Sequence, residues 1–301
     1  MKTTRVKILV ILPLIILGIA AGQTEVGEQL TVNFTDPGRP GTVDINVQFG
    51  NIHVTAYGGN QVIIDSEFGS HRMVSDSLVR GIVGAVMNGL SMAMSGDTLS
   101  ESGKSTEGMY KIPNISTELR VEEEDNVMEI RGGTFRQSVD LEVQVPYETS
   151  LKLRTMGGGS IRVEKVRGEI DANAMSGGID LQNVTGPVLA HSMASDIVAT
   201  FRNPISKNPM SFTTMSGDID VTFPANLQAD LKFKSQMGEI FTDYKVNLKT
   251  TSDNMQVRDK RSTGGSYQLE MEKIVHAVVN NGGTEIKFNT FTGDIFIRKA
   301  K

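Results

Sequence analysis

Four histidines, His53, His71, His191 and His276, are the side chains of this 301-residue sequence best suited to proton transfer near neutral pH. No two of them stand at the i, i+4 or short-loop spacing that lets a pair grip one metal ion. His191 and Ser192 lie close in sequence to Asp196, but a nucleophilic triad needs a geometry that neighbours on a strand do not have. If this segment is extended, His191 and Ser192 project to opposite faces. Phosphate-cradling glycine loops, H-E-x-x-H and G-x-S-x-G are all missing. Paired carboxylates would serve glycoside cleavage, and Asp171 and Asp180 are candidates by spacing. They fall on successive extended segments, which puts them on different faces. The expectation is a protein that is not an enzyme, with no catalytic, cofactor-binding or metal-ligating residue and no cofactor.

Two further sets of residues recur with a period, and each has a chemical reading. Met156, Met175, Met193, Met215 and Met237 return at similar corners. Thioethers bind soft metals, but methionine far more often fills gaps in a core, and core filling is the expectation. Asp196, Asp218, Glu239 and Asp294 each precede an apolar residue by one position. A calcium ladder would use such acids. Turn chemistry, with each side chain capping backbone amides, uses them more simply and tolerates Gly178 and Ser160 in the equivalent places.

The spacing of these sets points to the elements that carry them. Between Gly159 and Phe201 the chain divides into blocks of nine: GSIRVEKVR, GEIDANAMS, GGIDLQNVT, GPVLAHSMA and SDIVATF. Ile161, Ile170, Ile179, Val188 and Ile197 lie two residues into each block, and Val163, Ala172, Leu181, Ala190 and Ala199 two further on. This alternation puts both sets on one face of a strand. The blocks differ in pairs, with Val166 and Val184 where the others have Met175 and Met193, so the true period is eighteen. That is too short for a β-α-β unit. It predicts an all-β, single-stranded parallel β-solenoid with two short strands per turn of about 18–22 residues. Ile179, Leu181 and Met193 are expected to point inward. The lead glycines are expected to supply left-handed corner conformations. The same corner recurs at both ends of the chain: Phe49-Gly-Asn-Ile52 opens it and Phe291-Thr-Gly-Asp-Ile295 closes it.

The rest of the chain frames this repeat. Residues 1–22 read as a signal peptide: basic MKTTRVK, an apolar run from Ile8 to Ile19, then Ala20, Ala21 and Gly22. Cleavage there leaves 27 basic against 35 acidic residues, a net of about −8, which disfavours nucleic acid. No stable membrane span is expected after cleavage, and residues 23–301 form a single domain. Without cysteine the fold rests on packing and hydrogen bonds. A helical and flexible insertion is expected at about 69–111, where Val74, Leu78, Ile82, Val86, Leu90 and Met94 recur every four residues.

The run VDLEVQVPYETSLKLRTMGGGSIRVEKVRGEIDANAMSGGIDLQNVTG, with GDIDVTFPANLQADLKFKSQMGEIFTD and TFTGDIFIRK, resembles the bacterial DUF4097 family of adhesin-like proteins, related to head-domain auto-transporter adhesin-like proteins. The resemblance spans roughly 40–68 and 115–301. It implies an exported β-solenoid of unknown biochemical role, in the periplasm, at the cell envelope or outside the cell, and the expectation is an adhesin or an envelope binding or scaffold protein of unknown ligand. The partner would be a protein or glycan. The alternative is a carbohydrate-active enzyme, a lyase or hydrolase on the same scaffold, and a third reading is a periplasmic scaffold.

Overall fold

A computed structural model of the chain describes residues 29–70, 119–134, 137–203, 205–250, 254–259, 267–272 and 274–301. The described residues form strands and turns, arranged as two large, mostly parallel sheets and a separate hairpin, Asn254–Asp259 with Tyr267–Glu272. The expected helix falls in 71–118, outside the described residues. Residues 69 and 70, placed at the start of that insertion by the sequence, instead finish the strand Gln61–Ser70.

The two large sheets face each other, and each chain turn contributes one strand to both. We call such a pair a rung. Stacked from one end, the first rung is Val127–Gly132 with Gln137–Pro146, the second Thr42–Phe49 with Ile52–Tyr57, and the third Ser150–Gly157 with Ile161–Glu164. The fourth is Ile170–Ala174 with Ile179–Val184, the fifth Val188–Ser192 with Ile197–Phe201, and the sixth Met210–Thr214 with Ile219–Phe223. The seventh is Thr284–Thr290 with Ile295–Lys299, and the eighth is Ala229–Ser235 with Ile240–Thr242. Rungs three to six follow the chain, and their register is that of the repeat: Ile179 lies beside Ile161 on one side and Ile197 on the other.

The ends depart from a simple coil. The second rung is laid down before the first, and the seventh is the last segment of the chain, slotted between the sixth and the eighth. Phe49-Gly-Asn-Ile52 and Phe291-Thr-Gly-Asp-Ile295, first and last of these corners in the chain, therefore both sit inside the stack. Beyond the terminal rungs the pairing turns antiparallel, through Gln61–Ser70 and Leu119–Glu124 at one end and Val275–Val279 at the other. The outer edges are short or charged, as in the three-residue Ile240–Thr242 and the acidic LRVEEE of Leu119–Glu124, which discourages pairing with another chain.

The core is the set of inward ladders between the sheets. Ile161, Val163, Ile170, Ala172, Ile179, Leu181, Val188, Ile197 and Ala199 are all buried. Toward the later rungs the small residues give way to aromatic ones. Phe288 stacks on Phe212 at 5.4 Å and on Phe233 at 5.3 Å, so the late-arriving seventh rung is bonded to both neighbours by its rings as well as its backbone.

Met193 corrects the expected pattern. It is exposed, as are Met156, Met175, Met215 and Met237, and none of them fills the core. Strict alternation explains this: Ile170, Ala172 and Ala174 point inward, so Met175 must point out. Val166 and Val184 stand at the equivalent place in the other blocks and are buried. There Lys165 (φ 63°) and Asn183 (φ 58°) take the left-handed conformation, insert a bulge and turn the next side chain inward.

The lead glycines serve a different purpose from the expected one. Gly177 has no left-handed angle, but a Cβ on it would lie 1.8 Å from the carbonyl oxygen of Gly159 in the preceding rung. The corner is closely packed, backbone on backbone, and only glycine fits. Gly177→Ala is expected to lower unfolding stability by about 2–3 kcal/mol, through forced displacement of the rung. Gly178→Ala, one residue on, would meet Asp196 O at an ordinary 3.4 Å and should cost under about 0.5 kcal/mol. Chemical denaturation of the two variants measures the difference.

Candidate functional site

The corner at which strands of one sheet hand over to the other, beside rungs one to three, carries an open cleft of about 460 Å³. Four parts of the chain distant in sequence line it: Phe34 with 37–41, then 57–60, 146–149 and Arg167. Rung order brings them together, because the chain lays down rung two, leaves for rung one, and returns as rung three.

Each wall is held locally. Asp36 Oδ1 accepts the Gly38 N–H at 3.1 Å and Oδ2 accepts Arg39 Nε at 2.8 Å, closing the turn of TDPGRPG. Buried Asn126 fastens that turn to the body: its Oδ1 accepts the Asp36 N–H at 2.6 Å, and its Nδ2 donates to Asp36 O at 2.7 Å and Arg39 O at 3.2 Å. Glu123 accepts from Thr35 N and Oγ1 alongside. Tyr57 donates its hydroxyl to Gln61 O at 2.9 Å, which leaves the ring face half-exposed. On the far wall Arg167 lies over the Tyr147 ring at 4.7 Å, donates its N–H to Tyr147 O, and pairs with Glu148 at 3.3 Å. Thr149 Oγ1, behind this wall, is the one buried side-chain polar atom among the described residues without a hydrogen-bond partner.

This lining, two tyrosines, Phe34, three prolines, two arginines and the single carboxylate Glu148 besides Gly, Asn and Thr positions, offers flat apolar faces next to charged donors. Ring faces take up the apolar side of a sugar or a proline, and guanidinium groups orient oxygen atoms.

The residues singled out by sequence fall elsewhere. His191 faces outward, whereas Ser192 is buried and donates its hydroxyl to Gly177 O at 3.3 Å, so the two do not meet. His53 lies 3.4 Å from Glu164 on the outer face of one sheet. His276 is in the antiparallel strand Val275–Val279, opposite Lys232, and His71 lies outside the described residues. Asp171 and Asp180 are in different sheets, each beside an arginine: Arg154 at 3.6 Å and Arg162 at 3.4 Å. Arg162 also contacts Glu164, and Arg154 also reaches Asp44, so both outer faces carry alternating charges across rungs. These are exposed pairs of modest energy that favour in-register stacking. Lys232 and Lys287 hold the Glu285 carboxyl below its usual range, and burial pushes the Tyr244 hydroxyl up to about 12.

Three of the four acidic corner residues cap amides. Asp196 Oδ1 accepts the Asp218 N–H, Asp218 Oδ1 the Asp294 N–H, and Asp294 Oδ1 the Glu239 N–H, each at 2.8 Å. Asp140 and Asn51 do the same at the other end for Asn51 and Ser160. Each carboxylate thus bonds one rung to the next. The cleft itself had only faint signals in the sequence: TDPGRPG reads as a turn, and AYGGN and PYETS as turns that each carry a tyrosine.

Comparison with known proteins adds the following. A search of curated proteins found no match. A crystal structure from Clostridium sporogenes ATCC 15579, described only provisionally as a cell adhesion protein, aligns with 91% of this chain and 100% of its own at 9% identity and a TM-score of 0.43. The Toastrack DUF4097 family model matches residues 150–273, a narrower span than the resemblance read from the sequence and one that begins with rung three. Over that segment the chain is similar to the Toastrack DUF4097 family, in line with the resemblance read from the sequence.

Proposed function

We propose that the chain is an exported, non-enzymatic binding protein of the cell envelope, an adhesin-like β-solenoid that takes up a glycan in the Tyr57–Tyr147–Arg167 cleft. The observation that supports this most is the lining: half-exposed tyrosine faces beside guanidinium groups, on a rigid corner, with one carboxylate. Saccharides present an apolar face and a rim of hydroxyls, and such a surface complements both. Export rests on the basic and then apolar residues 1–22. The carbohydrate-active enzyme remains the alternative, and the same experiment separates the two.

A panel of envelope and host polysaccharides, immobilised and probed with the full chain, should capture it. Arg167→Ala and Tyr147→Leu should each weaken capture at least tenfold, the loss of about 1.4 kcal/mol that one cation–π or stacking contact supplies. Equal capture by the variants and the parent would rule out the cleft. Release of new reducing or unsaturated ends from a bound polysaccharide would favour the enzyme.

A further inference from the structure

The corner opposite the cleft carries a single file of thioethers. Thr155 is in register with Ala174, Ala174 with Ser192, and Ser192 with Thr214, so the residues that follow, Met156, Met175, Met193 and Met215, occupy one position on four successive rungs. The next rung places Phe291 there, and the file ends at Gln48 and Gln236. The backbone fixes the column: Met175, Met193 and Met215 donate their N–H groups to Thr155 O, Ala174 O and Ser192 O at 3.0–3.3 Å. All four side chains are 43–58% exposed, so core packing does not account for them.

The surroundings say which property of methionine is in use. On one flank the outward residues two positions earlier are Arg154, Asn173, His191 and Thr213, and on the other come Gly157, Ser176, Ala194 and Ser216. The apolar strip is therefore one residue wide, too narrow for a docking face. Sulfur is what the column repeats. Neighbouring rungs are about 4.8 Å apart. Two metal–sulfur bonds of about 2.3 Å set end to end span nearly the same distance. Three rotatable bonds let adjacent thioethers converge on one ion. His191 faces outward near the end of the strand Val188–Ser192, two residues before Met193, which puts an imidazole beside the middle of the file. Arg154, flanking Met156, disfavours a cation at that end.

We propose that Met175, Met193 and Met215, with His191 beside them, form a binding site for a soft monovalent cation, Cu(I) or its redox-inert counterpart Ag(I). Thioether and imidazole donors without carboxylate or thiolate select such ions over hard divalent ones. The proposal is independent of the glycan cleft, which lies at the other corner.

The test is titration of the full chain, labelled with ¹³C at the methionine methyls, with Ag(I) in chloride-free buffer, repeated anaerobically with Cu(I) against a chromogenic chelator. Ag(I) should shift the methyls of Met175, Met193 and Met215. The triple variant Met175→Leu, Met193→Leu, Met215→Leu keeps size and apolarity and should bind at least tenfold more weakly, with an unchanged β-sheet circular dichroism spectrum. His191→Asn should weaken binding at least threefold. Shifts confined to other methionines, or Ag(I) binding by the leucine variant equal to that of the parent, would overturn the site.

Discussion

A chain ending at Gly283 should fail to fold beyond its sixth rung. The deleted residues supply the seventh rung, which lies between Met210–Thr214 and Ala229–Ser235 in one sheet and between Ile219–Phe223 and Ile240–Thr242 in the other. Ile286, Phe288, Ile295 and Ile297 are fully buried there, and at about 1.5–3 kcal/mol each their loss removes roughly 6–12 kcal/mol of burial. That is as large as the whole stability of a typical domain. A sequential solenoid would respond differently, since losing its last turn only exposes the one before it. Here the deletion opens a gap, uncovers Phe212 and Phe233, and creates four new sheet edges, two in each sheet. The expected outcome is insoluble or strongly self-associating protein. A soluble truncated chain with the parent's far-ultraviolet spectrum and unfolding midpoint would contradict the rung order.

Leu181→Asp should be nearly as damaging. Leu181 is fully buried in the inward ladder between Val163 and Ala199. A carboxylate there has no partner, and the loss of leucine packing adds to its desolvation, for a total above about 4 kcal/mol. The neighbouring Asp180 faces outward, where it accepts from Gln182 Nε2 at 3.0 Å and sits 3.4 Å from Arg162. Its replacement by alanine removes only exposed polar contacts, about 1 kcal/mol or less. Urea denaturation of both variants reads the inward and outward faces directly. Equal losses would mean that the strand is slipped by one residue.

These two predictions draw on different amounts of sequence information. Leu181 was legible: alternation within a block fixes its face, and the eighteen-residue period fixes its neighbours, because both are local regularities. The position of the seventh rung was not. The corners before Ile219, Ile240 and Ile295 read Gly-Asp, Gly-Glu and Gly-Asp, so the corner motif cannot say which rung lies next to which. Pairing between distant segments is decided by core fit, here by Phe288 stacking on both Phe212 and Phe233, and that signal is spread over three segments. The methionine corner failed for a smaller reason. A nine-residue frame equates Met175 with Val184, but the left-handed Asn183 adds a bulge on one side only, and no repeat length records a backbone angle. The cleft was the least legible feature, since its walls meet only once rungs one, two and three are stacked out of chain order.

Stacking out of chain order, which builds the cleft at one end, recurs at rungs six to eight, and engineered cysteines can test it there in a chain that has none of its own. Ser211 is in register with Lys287, and Lys287 in turn with Lys232, all within one sheet. Adjacent strands bring Cα atoms to about 4.8 Å, within disulfide reach, whereas strands two apart are about 9.6 Å away, beyond it. Oxidation of the double variant Ser211→Cys/Lys287→Cys should therefore give an intramolecular disulfide, detected by mass spectrometry after proteolysis. The pair Ser211→Cys/Lys232→Cys should remain reduced. A disulfide in the second pair but not in the first would show that the chain coils in sequence order and would contradict the account.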